Sequence, residues 1–111
     1  MTMGDRGAVE IVERGGGKLY LYTHWGASDL TQTVAKGLMA GSDRWDDESY
    51  LTRIIFDTMT NLSGGTIGFG ISTWCPEDAW KIVTVDFGSN TVQAGEDDRL
   101  TFDEYCNKYF D

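Results

Sequence analysis

One proline, one histidine and two cysteines in 111 residues leave little from which to build a covalent or metal-held scaffold. A structural zinc site takes four soft ligands at paired spacing, and His24, Cys75 and Cys106 fall short of that number, so no metal site is expected. No cofactor motif is present either, and none is expected. Without an export signal, the two cysteines are expected as reduced thiols. Basic residues are scarce: 9 Lys and Arg stand against 18 Asp and Glu, a formal net charge of −9. Such a chain repels phosphate, which argues against direct binding to nucleic acid or an anionic membrane and favours encounter with basic protein surfaces. Long apolar runs are absent, so no segment is expected to span a bilayer. The start MTMGDRGAVE lacks the basic-then-apolar order of a signal peptide, and a cytoplasmic location is expected. Neither a repeat nor a low-complexity segment is found.

What is present is a folding composition. Hydrophobic residues make up 41%, with four Trp, five Tyr and five Phe, enough for one core and too few residues for two. Residues 1–7 lack periodicity and are expected as a flexible N-terminus, with residues 8–111 forming a single domain.

Two β-rich runs, AVEIVE (8–13) and KLYLYTH (18–24), flank Arg14 and a triple glycine, which predicts a hairpin with a longer loop. From Ser28 the period changes. Leu30, Val34, Leu38 and Met39 mark a helix capped by Ser28 or Asp29 and stopped at Gly41. Leu51, Ile54, Ile55, Thr58, Met59 and Leu62 mark a second, from about Asp46 to the Ser63-Gly64-Gly65 stop. TIGFGIS (66–72) alternates, with Gly68, Gly70 and Ser72 leaving one face nearly bare, which aromatic cover from Tyr20, Tyr22 or Trp25 is expected to close. STWCPEDAW is a loop, KIVTVDF (81–87) and TVQA (91–94) a second hairpin, and Thr101 with Glu104 a capping box that opens a final helix whose face is Phe102, Tyr105, Cys106, Tyr109 and Phe110. The order β-β-α-α-β-β-β-α predicts an α+β fold: a mostly antiparallel sheet of about five strands with helices on one face.

His24 is the one side chain whose charge changes near neutral pH, at a strand-to-helix corner, and is the candidate general acid or base. The competing reading makes it a corner residue bonded to backbone, with Gly26 allowing the bend and Trp25 anchoring it. Cys75 is a candidate nucleophile without a motif around it. The glycines at 64–70 run into a strand rather than a helix, which is the wrong context for a phosphate loop. Asp86-Phe87-Gly88 reads as the start of a hairpin turn. Carboxylates fall in two windows: Asp43, Asp46, Asp47 and Glu48, then Glu96, Asp97, Asp98, Asp103 and Glu104. Helix N-termini stabilise acids by about 0.3–1 kcal/mol each, which accounts for some of them but not for nine. Together they are candidate partner-binding residues able to imitate the phosphates of a duplex, with Trp45 as an aromatic anchor.

YTHWG before a helix, then RWDDESYLTRIIF, then GFGIS, resembles a loose set of small bacteriophage, prophage and bacterial proteins with no assigned activity. The resemblance covers roughly residues 20–72. It implies a context in which small acidic proteins inhibit host machinery, anti-CRISPR and other anti-defence proteins among them, acting in the host cytoplasm. The leading expectation is therefore a non-enzymatic inhibitor that blocks a basic nucleic-acid-binding partner such as a nuclease or defence complex. A second is a small hydrolase or transferase using His24, assisted by Asp29 or Cys75. A third is a structural or regulatory homodimer burying the glycine face of 66–72 or the aromatic face of the last helix.

Overall fold

A computed structural model describes residues 4–61 and 65–110. Leu62, Ser63 and Gly64, expected at the end of the second helix, lie outside the described residues. The fold is α+β, with strands β1 (Gly7–Val12), β2 (Lys18–Thr23), β3 (Phe69–Ser72), β4 (Lys81–Asp86), β5 (Thr91–Ala94) and β6 (Leu100–Thr101). The helices are α1 (Leu30–Ala40), α2 (Glu48–Thr60) and α3 (Phe102–Tyr109), and a single 3-10 turn precedes each of α1 and α2.

The six strands run in the order β3-β2-β1-β4-β5-β6. The sheet is mostly antiparallel, as expected, and differs from the expected sheet of about five strands in two details. β6 is an added two-residue edge strand paired with β5. More consequentially, β1 and β4 pair in parallel, Val9 opposite Val83 and Ile11 opposite Val85. Hairpin signals specify only neighbours in sequence, whereas β1, buried from Ala8 to Ile11 save half-exposed Glu10, holds partners on both edges. β3 and β4 consequently point the same way, and residues 73–80 must climb back between them across β2 and β1. Eight residues reach at most about 28 Å, enough for that return without a helix.

Val9, Ile11, Leu21, Val83, Val85, Val92 and Ala94 share one face of the sheet, and all three helices close over it through Leu30, Val34, Leu38, Leu51, Ile55, Phe102 and Tyr105. Helices on one face is thus what the periodicity delivers. α1 and α2 approach closely because Gly37 lacks a side chain: a Cβ there would lie 3.1 Å from the Cα of Ile55. Tyr105 crosses the layer and donates to the Thr31 carbonyl at 2.8 Å; burial pushes its phenol far above the usual range.

Local signals differ from expectation at three places. Asp29 occupies the N-cap position of α1 without capping it; instead the carboxylate of Asp5 accepts from Ser28 N at 2.7 Å, which holds Asp5 below its ordinary value. Met39 is largely exposed. β3 begins at Phe69 rather than Thr66, because Gly68 turns with φ of +94°, a conformation that ends a strand and suits glycine. Thr101 and Glu104 form the reciprocal capping box, as expected, and at the start of α2 the Asp47 side chain accepts from Tyr50 N at 3.2 Å.

Candidate functional site

Two regions collect chemistry. The first is the corner at His24. Its Nδ1 lies 3.0 Å from the Tyr22 hydroxyl and accepts from Arg6 Nε at 3.3 Å. Arg6 can only donate, which makes Nδ1 the accepting atom of that pair and leaves Nε2 as the other ring nitrogen. Over that nitrogen lies Gly4, where a Cβ would stand 2.7 Å away. Trp25 packs edge-on at 4.8 Å, Arg6 pairs with Asp78 at 2.7 Å, and Trp80 Nε1 donates to Asp5 at 2.8 Å. The N-terminal segment, the YTHWG corner and the 73–80 loop are thereby stitched into one polar latch. The ring bonds to side chains rather than to backbone, correcting the expected corner arrangement. Cys75 is exposed and directs its thiol to the Pro76 carbonyl at 3.8 Å, while Cys106 is buried and likewise free. Neither His24 nor Cys75 points its bonding atoms at the other. Asp29 is exposed, and its backbone carbonyl accepts from Thr33.

Beside the latch, Tyr22, Gly70, Ser72 and the 74–78 loop border an open groove of about 850 Å³ on the face away from the helices. Aromatic cover reaches one glycine only. Trp25 lies over Gly68, where a Cβ would run into its ring, whereas among the described residues nothing stands within 4 Å of a Cβ at Gly70. Deeper on the same face, Glu10 accepts from Tyr20 at 2.7 Å and from Thr84 at 3.0 Å, with Lys18 at 3.6 Å. Accepting that bond on Glu10 pushes the Tyr20 phenol up to about 12.

The second region is the acidic end. Arg14 N donates to Glu48 Oε2 at 3.0 Å and its guanidinium to the Asp46 carbonyl at 3.1 Å, fixing the start of α2 just beyond the Val12 end of β1. Thr101, where α3 starts, lies opposite Thr91, Thr91 opposite Asp86, and Asp86 opposite Val12, so α3 starts at the same end of the sheet. The rings of Trp45, just before α2, and Phe102, the first residue of α3, meet edge-on at 5.6 Å. Asp43, Asp46, Asp47 and Glu48 on one segment and Asp103 and Glu104 on the other thus lie at the same end of the sheet. Glu96, Asp97 and Asp98 do not join them. They form an exposed turn near the other end of α3, where Asp97 accepts from Tyr109, about 12 Å along the helix axis.

Trp45 is not the free anchor its charged neighbours suggest. It is half-buried against the core and donates from Nε1 to the Leu38 carbonyl at 2.9 Å. Sequence gives no warning, because a lone Trp between charges reads alike whether its ring points in or out. The four ion pairs among the described residues join Arg6 to Asp78, Lys18 to Glu10, Arg53 to Asp57 and Arg99 to Asp86; none uses any of the nine clustered carboxylates. Two cations at this end stand outside any ion pair among the described residues: Arg14, whose guanidinium bonds the Asp46 carbonyl, and Arg44, which lies over the Tyr50 ring at 4.8 Å.

Among the described residues, no group of three His, Cys, Asp or Glu side chains is placed to share a metal ion, and no helix is long and apolar enough to cross a membrane. Comparison with protein-family models, curated proteins and solved structures finds no match.

Proposed function

We propose that this chain is a small acidic interaction protein, not an enzyme, whose negative end occupies a basic groove that otherwise holds nucleic acid on another protein. The observation that supports the reading is the placement of two acidic helix starts at one end of the sheet, bridged by the Trp45–Phe102 ring contact, with six carboxylates that no lysine or arginine meets in an ion pair among the described residues. Uncompensated charges grouped this way raise the field over one surface and steer a basic partner to it. The phage context implied by the YTHWG resemblance fits an anti-defence inhibitor acting on a nuclease or a CRISPR-type complex. An enzyme built on His24 is the poorer reading, because Arg6 and Tyr22 engage Nδ1 and the ring meets neither Cys75 nor Asp29, the groups expected to assist it. A dimer through the aromatic face of α3 is disfavoured too, since Phe102, Tyr105 and Cys106 are already buried in the core.

The test uses immobilised protein and a panel of basic nucleic-acid-binding proteins, nucleases of defence systems included. Retention is expected to fall steeply as salt rises, because exposed charges are screened over about 8 Å at physiological ionic strength. The variant Asp43→Asn, Asp46→Asn, Asp103→Asn changes three carboxylates that make no cap, and is expected to lose retention while keeping its fold. Equal retention by the variant would remove the proposal's basis.

A further inference from the structure

The segment from Thr66 to Ser72 contains no charged residue and no proline, although among the described residues β3 is an edge strand with only β2 beside it. Natural sheets blunt such edges with lysine, proline, bulges or a covering element, because a free row of N–H and C=O groups invites another strand. Here the opposite holds: Ile71 is 57% exposed and Trp74, at the rim, 67%. The other edge, by contrast, is two residues long and runs directly into α3.

The two faces of this edge differ in chemistry. Phe69 and Ile71 lie on the helix side, Phe69 meeting Phe56 of α2 edge-on at 6.5 Å. Gly70 and Ser72 lie on the groove side, in register with Tyr22 and Tyr20. Among the described residues nothing approaches within 4 Å of a Cβ at Gly70, and the groove it opens is walled by Trp74, Glu77 and Asp78. Glu77 is exposed, and Asp78 keeps about half its side-chain surface open despite its pair with Arg6. No lysine or arginine lines the groove.

From this combination we infer that β3 is a docking edge for an extended peptide that adds as a further strand, placing a basic side chain in the groove and an apolar one beside Ile71. Strand addition supplies main-chain hydrogen bonds, and the alternation of a strand sends successive side chains to opposite faces. A residue opposite Gly70 or Ser72 thus enters the groove, where Glu77 and Asp78 attract a cation and the exposed face of Trp74 can stack on it. A residue one place along meets Ile71. The missing Cβ at Gly70 is what leaves room for the incoming chain. A second copy of this protein is the less suitable occupant, because each copy brings a net charge of −9 and its own β3 carries no cation for the groove. This site is separate from the acidic helix starts and does not depend on what they bind.

The probe is an acetylated and amidated peptide, Thr-Val-Arg-Val-Thr, titrated into isotopically labelled protein and followed by amide chemical shifts. Saturable shifts confined to residues 69–78 and their β2 neighbours are expected. Replacing the probe's Arg by Glu, or methylating its backbone nitrogens at alternate positions, should weaken binding at least about tenfold, one charge-assisted contact or a pair of main-chain bonds being worth that much. Gly70→Val fills the groove with a residue that favours strands and should abolish binding with the fold intact. Trp74→Ala should weaken binding while leaving the strand in place. The Asp43→Asn, Asp46→Asn, Asp103→Asn variant should bind the probe as the parent does. Equal binding of the Arg and Glu peptides, tolerance of backbone methylation, shifts centred elsewhere, no shifts at millimolar probe, or a concentration-dependent dimer that buries β3 would each overturn the inference.

Discussion

Replacing Trp45 by alanine separates a packed residue from an interface anchor, and the structure sets the size of the effect. Full truncation of a buried tryptophan costs about 3–5 kcal/mol. Trp45 is only half-buried, so packing against Phe102 and the core contributes about 2 kcal/mol of that. Its Nε1 bond to the Leu38 carbonyl, near the end of α1, adds about 1 kcal/mol, since truncation removes the donor. A loss of about 3 kcal/mol is therefore expected, a large part of the 5–15 kcal/mol typical of a domain. Urea unfolding followed by far-ultraviolet circular dichroism measures it, with the midpoint falling and the slope unchanged. A loss under about 1 kcal/mol would refute the packing assignment, and with it the contact that joins the two acidic segments.

Three further outcomes follow from the same coordinates of charge and packing. Thr101→Ala removes the side chain that accepts from Glu104 N and should cost about 1 kcal/mol, seen as a lower unfolding midpoint. Gly68→Val places a branched side chain at φ of +94° and against the Trp25 ring; it should destabilise by more than about 2 kcal/mol and shift tryptophan fluorescence as the indole is displaced. Tyr20 holds its proton in the folded state up to about pH 12 against 10.0 when free. The folded state thus favours the neutral phenol, so the contribution is intact below pH 10.0 and is lost as pH rises towards 12. Unfolding followed across that alkaline window should show stability falling, and Tyr20→Phe should flatten the fall.

How far the sequence could be read depends on the range of the interaction involved. Helices α1 and α2 were legible from apolar spacing, and α3 from the Thr101 and Glu104 box, because these signals act within a few residues. Hairpins β1–β2 and β4–β5 were legible for the same reason. The parallel pairing of β1 with β4 was not, since nothing local to Val9 or Val83 names a partner more than seventy residues away. Asp5 illustrates the same blindness: its bonds to Ser28 and Trp80 turn a stretch without periodicity into part of the latch at His24. The acidic windows were visible as composition, yet their placement was only half legible. Asp103 and Glu104 come to the same end of the sheet as the 43–48 group because α3 starts opposite Thr91, while Glu96, Asp97 and Asp98 lie away from it near the other end of that helix. The glycine face was anticipated, and Trp25 does cover Gly68. That Gly70 stays open depends on where β3 lies in the sheet order, which no local signal encodes.

The central claim is that the joined helix starts form a directed negative surface, and the most direct measurement is amide shift mapping of labelled protein against a basic nucleic-acid-binding protein that retains it. Residues 43–48 and 101–104 should shift and broaden first, with the effect reversed by added salt and absent in the Asp43→Asn, Asp46→Asn, Asp103→Asn variant. Complex formation that leaves both segments unperturbed would contradict the account.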